Sequence, residues 1–290
     1  MNKKADEKEK VGGPIGQAEL EEFLQRTPDF VFELQCLHLL TRLEFDCDHG
    51  GSYSDPITQK TRQFDIRIYK KLGLDSQTQI CCAIECKNLS KENPLLVYCV
   101  TRSSAESFHH VLTSHPGPVF CTTSHVKSDR TPYREGTFVG KSCTQVSFAK
   151  DQSRGVKYSS TDSEVYDRYA QALASIEELG NKSAHASKQF SHDVHILLLP
   201  ILVVPDGTLW RAGFDVDGRI VADPIAVDHC SFWVDRKYRI GNPIVSTELT
   251  ISHLEFVTLT GLKHLMTEVK SNKGHNHWFP QLQVLRYDGP

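Results

Sequence analysis

The stretch QICCAIECKN, residues 79–88, decides the fold. Its side chains alternate between two faces and are almost all apolar or small, which predicts a strand that is buried on both sides. Two charged residues, Glu85 and Lys87, share one of these faces. Burying either charge alone is costly, so we expect both to have charged partners or a chemical role. The two faces carry Ile80, Cys82 and Ile84 on one side, and Cys81, Ala83, Glu85 and Lys87 on the other.

The segment before this strand predicts a helix and two more strands. Residues 17–43 have apolar side chains at helical spacing, with Glu33 at the edge of the apolar stripe. A turn at DPITQK, residues 55–60, links a first strand to a second one, QFDIRIY, residues 63–69, which alternates with period two. We therefore expect a β-meander that ends in the strand at 79–88 and packs behind one helix.

The rest of the chain contains both helical and strand-like segments. The expected elements are a strand at 95–101, a helix at 105–115, a long polar loop at 126–160, a helix at 163–190 and a buried strand at 196–204. More β-rich sequence follows, and the tail at 253–270 fits a helix whose start has the composition of a strand. These elements predict an α/β protein with a mixed central β-sheet, helices on both faces and extra C-terminal strands.

The chain divides into three expected parts. Residues 1–16 carry charges of both signs without an apolar stretch, which predicts a disordered N-terminal leader. Residues 17–160 contain the meander and form the expected core. Residues 161–290 form the expected extension, a helix followed by β-rich sequence that packs on the same sheet.

Composition indicates a soluble protein of ordinary kind. The 290 residues carry a formal net charge of −3 and nine cysteines without a CxxC pair, which favours reduced thiols and a cytoplasmic location over disulfides or a zinc site. No apolar run reaches the roughly 18 residues of a membrane span, so we expect no membrane partner. A nucleic-acid partner would have to meet a local basic surface, because the whole chain is not basic.

Two carboxylates in the meander predict a metal site. Asp65 and Glu85 stand 20 residues apart on neighbouring strands, where they can lie side by side. Adjacent carboxylates repel each other, and a divalent cation relieves that repulsion. We expect Asp65, Glu85 and the carbonyl oxygen of Cys86 to supply part of a Mg²⁺ shell. Lys87 would orient a water or neutralise charge on a phosphate, and Glu33 would add a further carboxylate from the helix.

This arrangement resembles the PD-(D/E)xK nuclease superfamily, which has the restriction-endonuclease-like fold. The resemblance covers about residues 20–125 and includes SYSDPITQKTRQFDIRIY at 52–69, which is similar to a bacterial run of the form Tyr-x-Asp-Pro-x-Thr-Gly-Lys-x-Arg-Glu-Ile-Asp. Gln59 stands where that run has glycine, and Gln63-Phe64 stand where it has Glu-Ile. The matching positions are Tyr53, Asp55, Pro56, Thr58, Lys60, Arg62 and Asp65.

The resemblance implies a nuclease core that hydrolyses phosphodiester bonds with Mg²⁺, for which Mn²⁺ can substitute. It implies metal-binding roles for Asp65 and Glu85, the catalytic lysine role for Lys87 and the helix-glutamate role for Glu33. The expected partner is nucleic acid, and we expect DNA in preference to RNA. Nucleases of this superfamily often act as dimers, so we expect a homo-oligomer or a subunit of a larger complex. A role in bacterial defence is an analogy with the superfamily.

Two other functions remain open on the sequence. One is a nucleic-acid-binding or scaffold protein that keeps the nuclease fold without catalysis, and the other is a nuclease for RNA or branched DNA. A second acid-x-Lys triplet, Asp235-Arg236-Lys237, also follows an aspartate, Asp215, by 20 residues. A VDG turn signal lies within that rival and no helix with a glutamate precedes it at the right distance, so we expect an exposed strand with solvated charges there.

Overall fold

Four α-helices and fifteen strands form in the described residues of a computed structural model. These residues are 14–26, 29–55, 58–72, 77–116, 120–127, 131–151, 155–161, 163–186, 190–241, 246–271 and 277–279. Residues 1–13 of the expected leader at 1–16 lie outside the described residues. The helices are α1 (Gln17–Arg26), α2 (Asp29–Arg42), α3 (Ser163–Ala186) and α4 (Leu259–Lys270).

The strands run from β1 near the N-terminus to β15 before α4. They are β1 (Asp46–His49), β2 (Ser52–Ser54), β3 (Thr61–Gln63), β4 (Ile66–Leu72), β5 (Thr78–Cys86), β6 (Leu95–Thr101), β7 (Phe108–His115), β8 (Phe120–Lys127), β9 (Phe138–Asp151), β10 (Gly155–Thr161), β11 (Val194–Val204), β12 (Leu209–Phe214), β13 (Ile220–Ala226), β14 (His229–Gly241) and β15 (Ser246–Thr258).

Thirteen of these strands form one mixed sheet, and β2 pairs with β3 in a separate hairpin. The main order is β1-β4-β5-β11-β15-β14-β9-β6-β12-β13, with β10 beside β9, β7 beside the start of β11 and β8 beside β7. β4 runs antiparallel to β5, whereas β5, β11 and β15 are parallel. Strands from both sides of residue 160 therefore interleave, because β11, β15 and β14 lie between β5 and β9.

The sheet separates two apolar cores. Helix α3 packs on one face, whereas α2 and α4 pack on the other. Cys81 and Ala83 point to the α3 face, and Ile80, Cys82 and Ile84 point to the opposite one. The expected mixed α/β architecture is confirmed, and β5 is buried on both faces as its sequence predicts.

A buried arginine joins α3 to the sheet. Arg67 on β4 is 1% exposed, and its Nε donates to the Oγ of Ser175 on α3 at 3.0 Å. Its guanidinium also lies 4.1 Å from the ring centroid of Phe64 and 3.6 Å from Glu178. These contacts fix the position of α3 over β4 and β5, close to the end of β5 that carries Glu85.

The helix expected at 105–115 is wrong. Residues 108–115 form β7, and only Ser104–Glu106 makes a short 3-10 turn. β7 pairs with β8 along its whole length and with the start of β11. Its β-branched and aromatic side chains suit a strand, and the neighbouring strands override the local helical pattern.

The long loop expected at 126–160 is also wrong, because it contains β9 and β10 in an antiparallel pair. Ser147 and Ser159 form an exposed cross-strand hydrogen bond at 2.7 Å in this pair. Polar side chains on an exposed ribbon have the composition of a loop, although the backbone is paired.

Other expected elements are confirmed. The helix at 163–190 corresponds to α3, and the strand at 196–204 lies within β11. The segment at 253–270 contains the end of β15 and then α4, so its first part is a strand and its second part is a helix.

The described residues contain no helix that is long and apolar enough to cross a membrane. All nine cysteines lie in this part of the chain, and none forms a disulfide. Eight of them are buried, where they pack as small apolar side chains.

Gly261 allows α4 to lie directly against the backbone that precedes β14. A Cβ at this position would be 1.8 Å from the carbonyl oxygen of Asp228. Although alanine favours a helix more than glycine does, we predict that G261A lowers the free energy of unfolding by about 1–3 kcal/mol, because the backbone must shift. Chemical denaturation measures this difference.

The control for G261A is H264A, which changes an exposed side chain of the same helix. We expect H264A to change the free energy of unfolding by less than about 0.5 kcal/mol. A G261A protein as stable as the wild type would contradict the close packing of α4.

Candidate active site

The site lies at the carboxyl end of β5, where β4 begins. Ile66 pairs with Ile84, so the register places Asp65 opposite Glu85 with both side chains on the α3 side of the sheet. The backbone N–H of Cys86 donates to Asp65 Oδ2 at 2.8 Å. The antiparallel pairing thus brings two of the expected site residues together and holds one of them by a backbone hydrogen bond.

The carboxylate of Glu85 is almost fully enclosed. Its side chain is 1% exposed, and neither Oε1 nor Oε2 makes a close hydrogen bond to the described residues. The nearby Arg168 guanidinium and Asp65 N–H only oppose the rise in its pKa. Burial, followed by the charge of Asp65, raises the pKa of Glu85 well above its ordinary value. An ionised Glu85 in this environment therefore requires a nearby cation.

Asp65 shares this environment. Burial raises the pKa of Asp65, although the hydrogen bond from the Cys86 N–H opposes the shift. The carboxyl groups of Asp65 and Glu85 lie close enough to hydrogen-bond when one of them carries a proton. Because two buried carboxylates repel each other, the pair holds one positive charge between them, either a proton or a cation.

Arg168 on α3 reaches this pair, and the sequence analysis missed it. Its Nη1 lies 3.5 Å from Asp65 Oδ1 and 3.6 Å from Glu85 Oε2. These distances exceed the roughly 2.7–2.9 Å of a close charge-assisted hydrogen bond, so the interaction is a loose ion pair. Arg168 stands 83 positions after Glu85, and no local pattern marks it.

Lys87 is held by Asp29, the first residue of α2. The N–H of Lys87 donates to the Val203 carbonyl at 2.9 Å and extends the pairing of β5 with β11. Its Nζ lies 3.4 Å from Asp29 Oδ2, and Asp29 Oδ1 accepts from the Asn88 N–H at 3.0 Å. The sequence analysis also missed Asp29, but a signal existed, because Asp29 and Glu33 share a helix face at i, i+4 spacing.

Glu33 lies at the rim of the site. Its Oε1 accepts a hydrogen bond from Nε2 of His49 on β1 at 2.8 Å. Burial raises the pKa of Glu33, and the charge of Asp65 adds to the shift. Glu33 is therefore within electrostatic range of the buried pair, while its direct hydrogen-bond partner is His49.

Cys86 can contribute only through its backbone. Its side chain is 1% exposed and lies in the apolar core on the α2 face, next to Cys36. Its N–H already donates to Asp65. The carbonyl oxygen remains as the atom with the chemistry of a Mg²⁺ ligand, and that role stays a prediction.

The donor set suits Mg²⁺ better than a closed metal site. The described residues hold no cluster of three or more His, Cys, Asp or Glu side chains that could bind a metal ion. Mg²⁺ does not require such a cluster, since it binds through one or two carboxylates and takes its other ligands from water and phosphate. The Glu85 carboxylate, which makes no close hydrogen bond and lies next to Asp65, fits this pattern.

The second acid-x-Lys triplet lies on an exposed ribbon. Lys237 on β14 is 2.9 Å from Glu248 on β15, and both side chains are more than half exposed. Asp235 is exposed as well, next to a bulge in the pairing of these strands. The expected exposed strand with solvated charges is confirmed, and this triplet provides a control for the first.

Comparison with known proteins identifies no relative, because no family model, curated protein or solved structure matches the chain. The resemblance in the motif around Asp65 and Glu85 therefore stays a prediction. The two carboxylates and their neighbours have to be interpreted from their own geometry and chemistry.

We predict that E85Q is more stable than the wild type in the absence of divalent cations. The raised pKa of Glu85 means that the folded state binds more protons than the unfolded state, whose glutamates have a pKa near 4.3. The stabilisation from the protonated group is present at low pH and is lost as the pH rises through the folded pKa. At about pH 8, E85Q should therefore gain about 1–3 kcal/mol over the wild type.

Chemical denaturation in EDTA at about pH 5 and about pH 8 measures this difference. The advantage of E85Q over the wild type should grow from the lower to the higher pH. The control is E248Q, which removes an exposed carboxylate and should show no such growth. An E85Q protein that is less stable than the wild type at about pH 8 would contradict a net cost of burying the charge of Glu85 in the metal-free protein.

Proposed function

We propose that the protein is a Mg²⁺-dependent nuclease with a restriction-endonuclease-like core of the PD-(D/E)xK type, and that its substrate is DNA. One observation carries this proposal: the carboxylate of Glu85 is buried without a close hydrogen bond, directly opposite Asp65 at the start of the neighbouring strand. Burying two adjacent carboxylates lowers the stability of a fold unless a cation lies between them, so such a pair indicates a functional site.

Asp65 and Glu85 would hold the metal ion, with the Cys86 carbonyl as a third oxygen. Mg²⁺, when bound, would supply positive charge that polarises a phosphate ester. The hydrogen bond from the Cys86 N–H orients Asp65 before any ligand arrives. The enclosure of Glu85 limits competing water, so its charge acts at low local dielectric.

Lys87 would stabilise the negative charge that develops on the phosphate during hydrolysis. Its backbone is fixed by β11, and its Nζ lies beside Asp29, which limits the directions in which the ammonium group can point. Glu33 would orient the water network at the rim, where its Oε1 can also receive or release a proton in exchange with His49 Nε2.

One observation favours a second candidate, a nucleic-acid-binding or scaffold protein without catalysis. The guanidinium of Arg168 already lies near Asp65 and Glu85, so a structural ion-pair network could account for part of the site. Divalent-cation binding distinguishes the two candidates, because only the nuclease requires it. RNA and branched DNA remain alternative substrates, and a homo-oligomer or larger complex remains the proposed assembly.

Cleavage of supercoiled plasmid tests the proposal directly. We predict nicking by the purified protein with Mg²⁺ or Mn²⁺ and none with EDTA. D65N, E85Q and K87A should each lower the rate by at least about a hundredfold, since each removes a group that acts on the metal or the phosphate. The matched control is K237A, the lysine of the exposed triplet, which should cleave like the wild type.

Structured RNA and a four-way DNA junction extend the same assay. If the protein cleaves either of these instead of plasmid DNA, with the same dependence on Lys87 and the metal, the proposed substrate changes. The proposed reaction, phosphodiester hydrolysis, then still stands. Folded protein that cuts none of the substrates with either metal would favour the non-catalytic candidate. Full activity of D65N or E85Q would contradict the assigned site.

A further inference from the structure

Three carboxylates from three different elements converge on the guanidinium of Arg168. Asp29 begins α2, Asp65 precedes β4 and Glu85 lies near the end of β5. Their nearest oxygens are 3.5, 3.5 and 3.6 Å from the Nη atoms of Arg168. The arginine comes from α3, on the face of the sheet opposite to α2. It therefore brings positive charge to these three carboxylates from a fourth element.

Arg168 places a positive charge beside Glu85 without forming close hydrogen bonds to it. Neither oxygen of Glu85 accepts a close hydrogen bond, although the guanidinium has five N–H groups. A structural arginine–carboxylate pair usually makes close, parallel hydrogen bonds, and those are absent between Arg168 and Glu85. The side chain of Arg168 is also 29% exposed, whereas that of Glu85 is 1% exposed. Arg168 is thus the partner in this ion pair whose side chain reaches solvent.

We propose that Arg168 is the resident counter-charge of the metal-free site, and that a divalent cation displaces its guanidinium from Asp65 and Glu85. This inference rests on the proposed function, because it assumes that these carboxylates bind the cation. The affinity of the site for the cation is then set by competition, since a ligand that replaces an existing ion pair must first break it. Arg168 acts here as a positioning residue and not as a metal ligand.

The test is calorimetric titration of MnCl₂ into the full-length protein near neutral pH. R168Q removes the positive charge and keeps a polar side chain, so we expect Mn²⁺ to bind at least about tenfold more tightly. R168K keeps the charge and should stay within about threefold of the wild type. The matched control is K182Q, which removes an exposed lysine of the same helix that pairs with Glu178.

Thermal unfolding supplies a second readout that separates competition from a purely structural role. In EDTA, R168Q should unfold at a lower temperature than the wild type, because Asp65 and Glu85 lose their counter-charge. Saturating Mn²⁺ should then raise its unfolding temperature by more than it raises that of the wild type, as tighter binding requires. A purely structural role would lower the unfolding temperature without tightening Mn²⁺ binding.

The outcomes separate this inference from the proposed function. Equal or weaker Mn²⁺ binding by folded R168Q, with metal-dependent cleavage intact in the wild type, overturns the inference alone. No Mn²⁺ binding by any folded variant overturns both. Tighter binding by K182Q to the same extent as by R168Q would mean that only the net charge of α3 matters, and it too overturns the inference.

Discussion

The burial of two facing carboxylates, one near the end of β5 and one just before β4, is the constraint on which the rest of the structure depends. β5 is covered on both faces, so the Glu85 side chain near its end is almost fully enclosed. The antiparallel register of β4 adds Asp65 opposite to it. Charge repulsion between buried carboxylates has to be balanced by a proton, an arginine or a metal ion. The neighbouring elements are arranged around that requirement.

Both faces of the sheet contribute to this balance. Helix α2 brings Asp29 and Glu33 from one face, and Asp29 also holds Lys87 in place. Helix α3 brings Arg168 from the other face, and the buried contacts of Arg67 fix its position. The polar residues meet only at the carboxyl edge of β5, where the sheet ends and the two helix layers come within reach of each other. A small polar site can thus form beside two apolar cores without interrupting either.

Part of this site could be predicted from sequence because the signals are local. Period-two alternation marks β4 and β5, and their connection is short enough that Asp65 and Glu85 meet. Arg168 could not be predicted, since its approach depends on how α3 packs on the sheet. The same limit explains the errors in the fold: β7 and the β9–β10 pair are strands because of their neighbours, while their own residues fit a helix and a loop.

Anomalous X-ray scattering from a crystal grown with MnCl₂ tests the central claim most directly, because it locates the metal ion itself. We predict a single strong manganese peak at about 2.0–2.3 Å from an oxygen of Asp65 and an oxygen of Glu85, with the guanidinium of Arg168 withdrawn from both. A fully occupied site of this kind would establish what the buried carboxylates are for. A well-ordered crystal without a peak there, in which Arg168 still lies between the carboxylates, would contradict the account.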